Sequence, residues 1–311
     1  MAYIEAANSG SVPPPPGAAA HRPRGPLRAG GGPERAGTDG SRPMGSPATP
    51  EPQRRPGPAA DAVLPDPAAE LPRAMARREL RLVYQPVFSA AGRAVGAEAL
   101  LRWDHPVHGE LRPAAFLGGL GAPLLGELAA WTAGEAVQQL TAWRRAGAMP
   151  GRLSLNVPAS ALEPGFALGL IALLRAERLP GAALALELSD AEAMPADGLL
   201  PKVLGELATH GVVCLIDDFG RGASLMDTGR LPLRGLKLDG ALSAHLPEGR
   251  REAGLARAYA AVGRALGVPV GAKHVETPAQ RRFYLDLGVD SLQGDGLAAP
   301  VGAEALPGYF A

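Results

Sequence analysis

The sequence predicts an α/β protein: a closed (β/α)8 TIM-like barrel with an antiparallel first strand pair, preceded by a disordered N-terminal tail. Three observations carry this expectation. Beyond residue 75, short and nearly continuous apolar segments alternate with longer amphipathic ones, the pattern of parallel strands covered by helices. The first two apolar segments are joined only by "SAAGR", a link fit for a hairpin and too short for a parallel crossover. About eight strands in roughly 235 residues favour a closed barrel over an open doubly wound sheet.

The elements follow in order. "LRLVYQPVF" (80–88) alternates and is rich in strand formers, and "AVGAEALLRW" (94–103) is its hairpin partner. A helix is expected over 124–147, then the strand "RLSLNV" (152–157), a helix over 165–177 and the strand "LALELSD" (184–190). Helix 198–209, strand "VVCLIDDF" (212–219) and strand "LRGLKLDG" (233–240) come next. Helix 251–266, strand "VPVGAKHV" (268–275), helix 277–287 and the stub "DSLQG" (290–294) complete the set.

Composition changes sharply near residue 75. The preceding segment is Pro, Gly, Ala and Arg with few large apolar side chains, too little to offset the entropy of ordering it. Residues 1–75 are therefore expected to be a disordered tail and 76–311 one domain. The 31 basic and 31 acidic residues balance and the pI is near 7, so no bulk attraction to DNA or to an anionic membrane is expected. The lone Cys214 excludes an intramolecular disulfide and suits a reducing compartment. No apolar run reaches the roughly 18 residues of a membrane span, and the N-terminus lacks the layout of a secretory signal. A cytoplasmic location is expected.

Polar side chains close the predicted strands: Glu98, Asn156, Glu187, Asp217 with Asp218, Lys237 with Asp239, Lys273 and Gln293. In a (β/α)8 barrel these ends converge on one face, where active sites sit. Carboxylates crowded there with an amide oxygen suit a hard cation such as Mg2+, Mn2+ or Ca2+, and no Cys/His pattern points to zinc. Any one of these residues alone reads as a cap or a surface group; seven strand ends behaving alike read as a metal-and-anion site. Trp103, Trp131 and Trp143 read as core or interface residues.

These residues carry a resemblance. "YQPVF" and "VGAEALLRWDHP", followed in order by "LSLNVPASAL", "LALELSD", "LIDDFGRGAS", "LPLRGLKLD", "HVETPAQ" and "LQG", resemble EAL domains, the cyclic di-GMP phosphodiesterases named for the triplet Glu98-Ala99-Leu100. The likeness spans about residues 78–305. It implies a barrel with an antiparallel opening pair and two-metal hydrolysis of cyclic di-GMP to pGpG. Glu98, Asn156, Glu187 and Asp217 match the ligands of one Mg2+ or Mn2+, and Asp217 and Asp218 match groups that hold the second. Arg102 matches a phosphate-binding arginine, with Gln85 beside it on the substrate side. Lys237 matches the lysine that steadies phosphate and attacking water, and Gln293 a late glutamine near the site. Family analogy also makes a homodimer or a protein partner conceivable.

The chain departs from the family pattern at several points. Lys273 stands where the family has a glutamate tied to the second metal and the catalytic water. At about 4 Å and an effective dielectric near 20, each unit of charge is worth roughly 4 kcal/mol, so the exchange works against a second dication. Asp190 replaces the longer acid that braces the loop after Asp217-Asp218, Ala223 stands for a tyrosine, Asp295 for an aromatic residue, and the "FLGGLGAPLLGEL" stretch lacks an Ala-Glu pair. One metal site is expected intact and the second doubtful. Three readings stay open: a cyclic di-GMP receptor with lost or weak hydrolysis, in which the Lys273 ammonium stands in for a cation; a working phosphodiesterase; and a scaffold that binds no nucleotide. Strand alternation turns His274 away from the face of Lys273, giving it a packing or surface role.

Overall fold

The computed structural model describes residues 66–190, 198–221 and 229–310. Its strands are β1 (Leu80–Ser89), β2 (Ala94–His105), β3 (Gly109–Leu111), β4 (Leu153–Asn156), β5 (Leu184–Ser189), β6 (Val213–Phe219), β7 (Leu236–Leu238), β8 (Val270–Ala272) and β9 (Ser291–Leu292). The described helices are α1 (Pro67–Ala76), α2 (Ala122–Arg145), α3 (Pro164–Ala176), α4 (Leu199–Thr209), α5 (Gly240–Ser243), α6 (Arg250–Leu266) and α7 (Pro278–Leu287).

Strands β1, β9, β8, β7, β6, β5, β4 and β2 succeed one another round a ring, and the β1–β2 pairing closes it. From β2 through β4 to β9 every neighbour is parallel, while β1 runs antiparallel to both β2 and β9. The expected closed barrel with a reversed first strand is thus observed. The short β3 hairpins back onto β2 outside the ring, an element not read from the sequence because three residues carry no periodicity. Register places Gln85 opposite Glu98 and Glu187 opposite Asn156, so the hairpin and the β4–β5 pairing each align two polar residues.

The helices cover the barrel with small and branched apolar side chains. In α2, Ala129, Ala133, Ala136, Val137 and Leu140 pack with Leu153 and Leu155 of β4 and Leu184 and Leu186 of β5 in one buried cluster. Trp143 is buried there against Tyr84, and Trp103 packs edge-on to Phe116. Cys214 is buried, and burial pushes its thiol up to about 12, out of the reactive range. No described helix is long and apolar enough to cross a membrane.

Two boundaries differ from the sequence reading. The compositional break at 75/76 falls inside α1. Asp66 caps this helix by accepting the Ala69 N–H, Pro67 occupies its first turn, and Leu71 and Ala74 are buried with Leu80, Trp103, Leu111 and Phe116. Two apolar side chains in a Pro/Ala-rich stretch are too few to show in composition. Residues 1–65 lie outside the described residues. The late strands are also shorter than expected, because Asp239 leaves the sheet to cap α5 while Lys273 and Gln293 each stand one residue past a strand end.

Because α1 closes the Trp103 cluster, Leu71→Ala is expected to lower unfolding stability by about 2–5 kcal/mol, the usual loss for a buried leucine. Urea unfolding followed by circular dichroism measures it, and an unchanged midpoint would show that α1 adds nothing to the core.

Candidate active site

Among the described residues fourteen polar or charged ones are buried, and seven of them, Gln85, Glu98, Arg102, Glu187, Asp217, Lys237 and Gln293, belong to the strand-end face. Lys237 is the hub. Its ammonium donates to Glu98 Oε2 at 2.8 Å, to Glu187 Oε2 at 2.7 Å and to Gln293 Oε1 at 3.2 Å. The other Glu187 oxygen lies 2.6 Å from the same nitrogen. Asn156 Nδ2 donates to Glu98 Oε1 at 2.6 Å. Gln293 Nε2 donates to Glu98 Oε2 at 2.8 Å and to Gln85 Oε1 at 3.0 Å, while Gln85 Nε2 donates to Asp295 Oδ1 at 2.9 Å and to the Ala298 carbonyl. Asp295, noted in the sequence only as a departure, anchors this chain of amides. Gly294 permits it: a Cβ there would lie 2.2 Å from the Val275 nitrogen, so only glycine lets the segment after Gln293 close on the chain that follows β8.

Lys273 forms a second centre. Its ammonium lies 2.6 Å from Asp217 Oδ2 and 2.7 Å from Asp218 Oδ1. Adjacent strand residues ordinarily face opposite sides. Here the β6–β7 register shifts between Ile216 and Phe219, and Asp218 adopts φ 52°, a left-handed conformation that aspartate tolerates better than most residues. The irregularity turns both carboxylates towards one nitrogen.

Charge at the two centres does not balance: four carboxylates face two ammonium groups. Burial pushes Glu98 upward, but the Lys237 and Lys273 ammonium groups and the Asn156 amide together outweigh it and hold this carboxyl at about 2. At Glu187 burial dominates, the nearby Glu98 adds to it, and the carboxyl rises to about 7. Asp217 is raised as well, chiefly by burial and against the pull of Lys237 and Lys273. Burial disfavours both ammonium groups, yet the surrounding carboxylates raise each above the ordinary lysine value. Neither lysine is available as a base at neutral pH.

Arg102 sits at the edge of a 280 Å3 recess shared with Gln85, Glu98, Lys273, Gln293, Asp295 and the exposed Arg112. Its Nη1 donates to the Leu101 carbonyl at 2.8 Å, and its Nε lies 3.6 Å from Glu110. Asp190, although shorter than the family's acid, accepts the N–H groups of Gly220 and Arg221, both at 3.0 Å. It thus braces the start of the loop; Ala223 lies outside the described residues. Strand alternation does not set the direction of His274. β8 ends at Ala272, and φ 53° swings the exposed imidazole against Gly240, where a Cβ would lie 1.7 Å from Nδ1. The Arg221–Asp239 pair, with contacts of 2.8 and 3.1 Å, was not foreseen, since nothing in the spacing marks it.

Among the described residues, no three acidic or imidazole side chains stand arranged around a common metal position. The donor chemistry nevertheless fits one hard cation. Asp217 Oδ1 is buried without a hydrogen-bond partner, and the excess of two negative charges equals one dication. A second dication would meet the Lys273 ammonium.

Fold and site define a (β/α)8 barrel protein with a carboxylate-rich, lysine-bearing cluster at the C-terminal strand ends. The chain belongs to the EAL domain family, whose pattern matches residues 68–300. It is 39% identical over 246 residues to MucR of Pseudomonas aeruginosa, described as a bifunctional diguanylate cyclase/cyclic di-GMP phosphodiesterase. That match covers 76% of this chain and 35% of MucR, so the chain spans about a third of that relative's length. The uncharacterized protein Rv1357c of Mycobacterium tuberculosis is 38% identical over 235 residues, covering 71% of this chain and 75% of the relative. Among solved structures, the MucR phosphodiesterase of P. aeruginosa in complex with cyclic di-GMP superposes with a TM-score of 0.73 at 34% identity, over 78% of this chain and 99% of that one.

The raised Glu187 makes stability depend on pH. In the folded chain Glu187 titrates near 7 and in the unfolded chain near its ordinary value of 4.5, so between these values the folded state holds more protons and stability falls as pH rises. Glu98 contributes oppositely: its share is complete above 4.5 and is lost as pH falls towards 2. With a chelator present, stability is expected to fall between about pH 5 and about pH 8 by on the order of 1–3 kcal/mol more in the wild type than in Glu187→Gln. Parallel urea midpoints for the two proteins would overturn the assignment.

Proposed function

We propose that this protein is a receptor for cyclic di-GMP, with an EAL site that binds the nucleotide and hydrolyses it weakly or not at all. One observation carries the reading: the Lys273 ammonium occupies the carboxylate pair Asp217-Asp218 at 2.6 and 2.7 Å. A monovalent cation built into the chain neutralises part of the charge that a second metal would neutralise, and it cannot be displaced into solvent without leaving Asp217 buried and unpaired. In the relative MucR, the corresponding fold is seen in complex with cyclic di-GMP.

In this reading Arg102, at the rim of the recess, meets a phosphate of the ligand, and Gln85, fixed by Asp295, lines the same side. Glu98, Asn156, Glu187 and Asp217 would hold one Mg2+ or Mn2+. When bound, that ion supplies positive charge against the phosphodiester and acidifies a coordinated water. Lys237 keeps Glu98 ionised and orients both Glu98 and Glu187, and Gln293 orients Glu98 and Gln85 together. Lys273 holds Asp217 and Asp218 and presents the remaining charge of its ammonium to the ligand, but offers no acceptor for a proton from water.

A second reading, slow metal-dependent hydrolysis to pGpG, is favoured by Asp190, which still braces Gly220 and Arg221. Incubating the full chain with cyclic di-GMP and Mn2+, beside Lys273→Glu, separates the two by chromatography. The receptor reading expects no pGpG from the wild type over hours and formation of pGpG by the variant. Efficient wild-type turnover would overturn it. Nucleotide at about 100 times its Kd should add about 2.7 kcal/mol of stability to the wild type. Arg102→Ala should lose this thermal shift; an unchanged shift would remove Arg102 from the binding site, and no shift in the wild type would leave the scaffold reading.

A further inference from the structure

The opposite mouth of the barrel, at the N-terminal strand ends, holds a recess of its own. Alternation along a strand turns inward the residues two positions before the site residues as well as the site residues themselves. Those positions are Gly96, Ser154, Ala185, Gly235, Gly271 and Ser291, with Leu215 the one large side chain among them. A (β/α)8 barrel ordinarily fills such a layer with Val, Ile and Leu. Here small residues leave a recess of 260 Å3, and Leu215 stays half-buried inside the barrel while Ile216 beside it is fully buried.

Two features give the recess polarity. Ser154 is 7% exposed, and its hydroxyl lines the recess with no hydrogen-bond partner among the described residues. Arg152 and Arg234 stand at the rim. Arg152 Nε reaches the Ala182 carbonyl at 3.3 Å, and Arg234 makes no ion pair among the described residues. The one carboxylate nearby, Asp290, accepts the Val270 N–H at 2.8 Å. Two guanidinium groups above an apolar wall and one buried hydroxyl select an anion with an apolar body. A dry cavity of about 150 Å3 already admits benzene, so 260 Å3 has room for one ring and a carboxylate.

We propose that this recess is a second ligand site, for a compact aromatic or branched carboxylate. The apolar body lies on Leu215, Val87 and Pro269, and the carboxylate meets Arg234 and Arg152. Ser154 offers a hydrogen bond to a polar ring substituent. The methylene stem of Lys237 forms part of the inner wall, so an occupant touches the residue that holds Glu98 and Glu187. The proposal is independent of whether the other face binds nucleotide.

Benzoate titrated into the full-length, nucleotide-free protein tests it, with binding followed by saturation-transfer NMR. Benzoate is expected to bind saturably, and the neutral benzyl alcohol roughly tenfold more weakly, since a charge-assisted contact is lost. Arg234→Gln, at an exposed position, should weaken benzoate by a similar factor, keep the wild-type melting temperature and leave benzyl alcohol unchanged. Ser154→Leu fills the recess and should abolish binding of both. Absence of saturable benzoate binding to the wild type would overturn the proposal. So would equal affinity for the acid and the alcohol, or benzoate binding untouched by Arg234→Gln.

Discussion

The structure at the strand-end face depends on one interaction, the burial of Lys237 between Glu98 and Glu187. The three groups come from β7, β2 and β5, which are distant in the chain and unpaired in the sheet, so their side chains meet only across the interior of the closed barrel. Removing such charges from water costs several kcal/mol per ion, and their mutual attraction offsets this only where geometry and hydrogen bonding are complete. Most of that hydrogen bonding is present here, with Glu187 Oε1 left to its ion pair with Lys237 alone. Both Glu98 oxygens accept hydrogen bonds, Gln293 uses both amide hydrogens, and Gln85 passes the network to Asp295. The polar centre holds the barrel's ends in register and is also what a phosphate ligand would meet.

The Lys273 centre is of another kind. It needs a backbone irregularity, the shifted register and left-handed Asp218, to turn two adjacent aspartates towards a single nitrogen. Such strained conformations persist where the surroundings over-determine them, and often at functional sites. With the ammonium in place, the charge the cluster lacks shrinks to that of one dication. This is the physical basis for reading the substitution as a change from turnover to binding rather than as loss of the site.

The two barrel mouths show how one periodicity serves two ends. The residues that converge at the C-terminal face and those beneath them lie on the same inward rows. The upper row is charged and crowded; the lower row is small and leaves space. Lys237 spans both, with its ammonium above and its stem below.

The strand and helix order, the antiparallel opening and the identity of nearly every strand-end residue were legible in the sequence, because apolar periodicity and turn length are local properties. α1 was not, since its two buried side chains sit in a stretch whose composition is that of a tail. Nor were the roles of Asp295 and Arg221, whose partners Gln85 and Asp239 lie 210 and 18 residues away. Asp190 shows the limit from the other side: a shorter acid suggested a lost brace, yet the backbone places Gly220 and Arg221 within its reach. The sequence by itself determined which charges close the strands, because strand order and the apolar segments follow from the chain alone. Only the tertiary structure decided which ammonium neutralises which carboxylate, because that depends on ångström-scale distances between strands that meet only when the barrel closes.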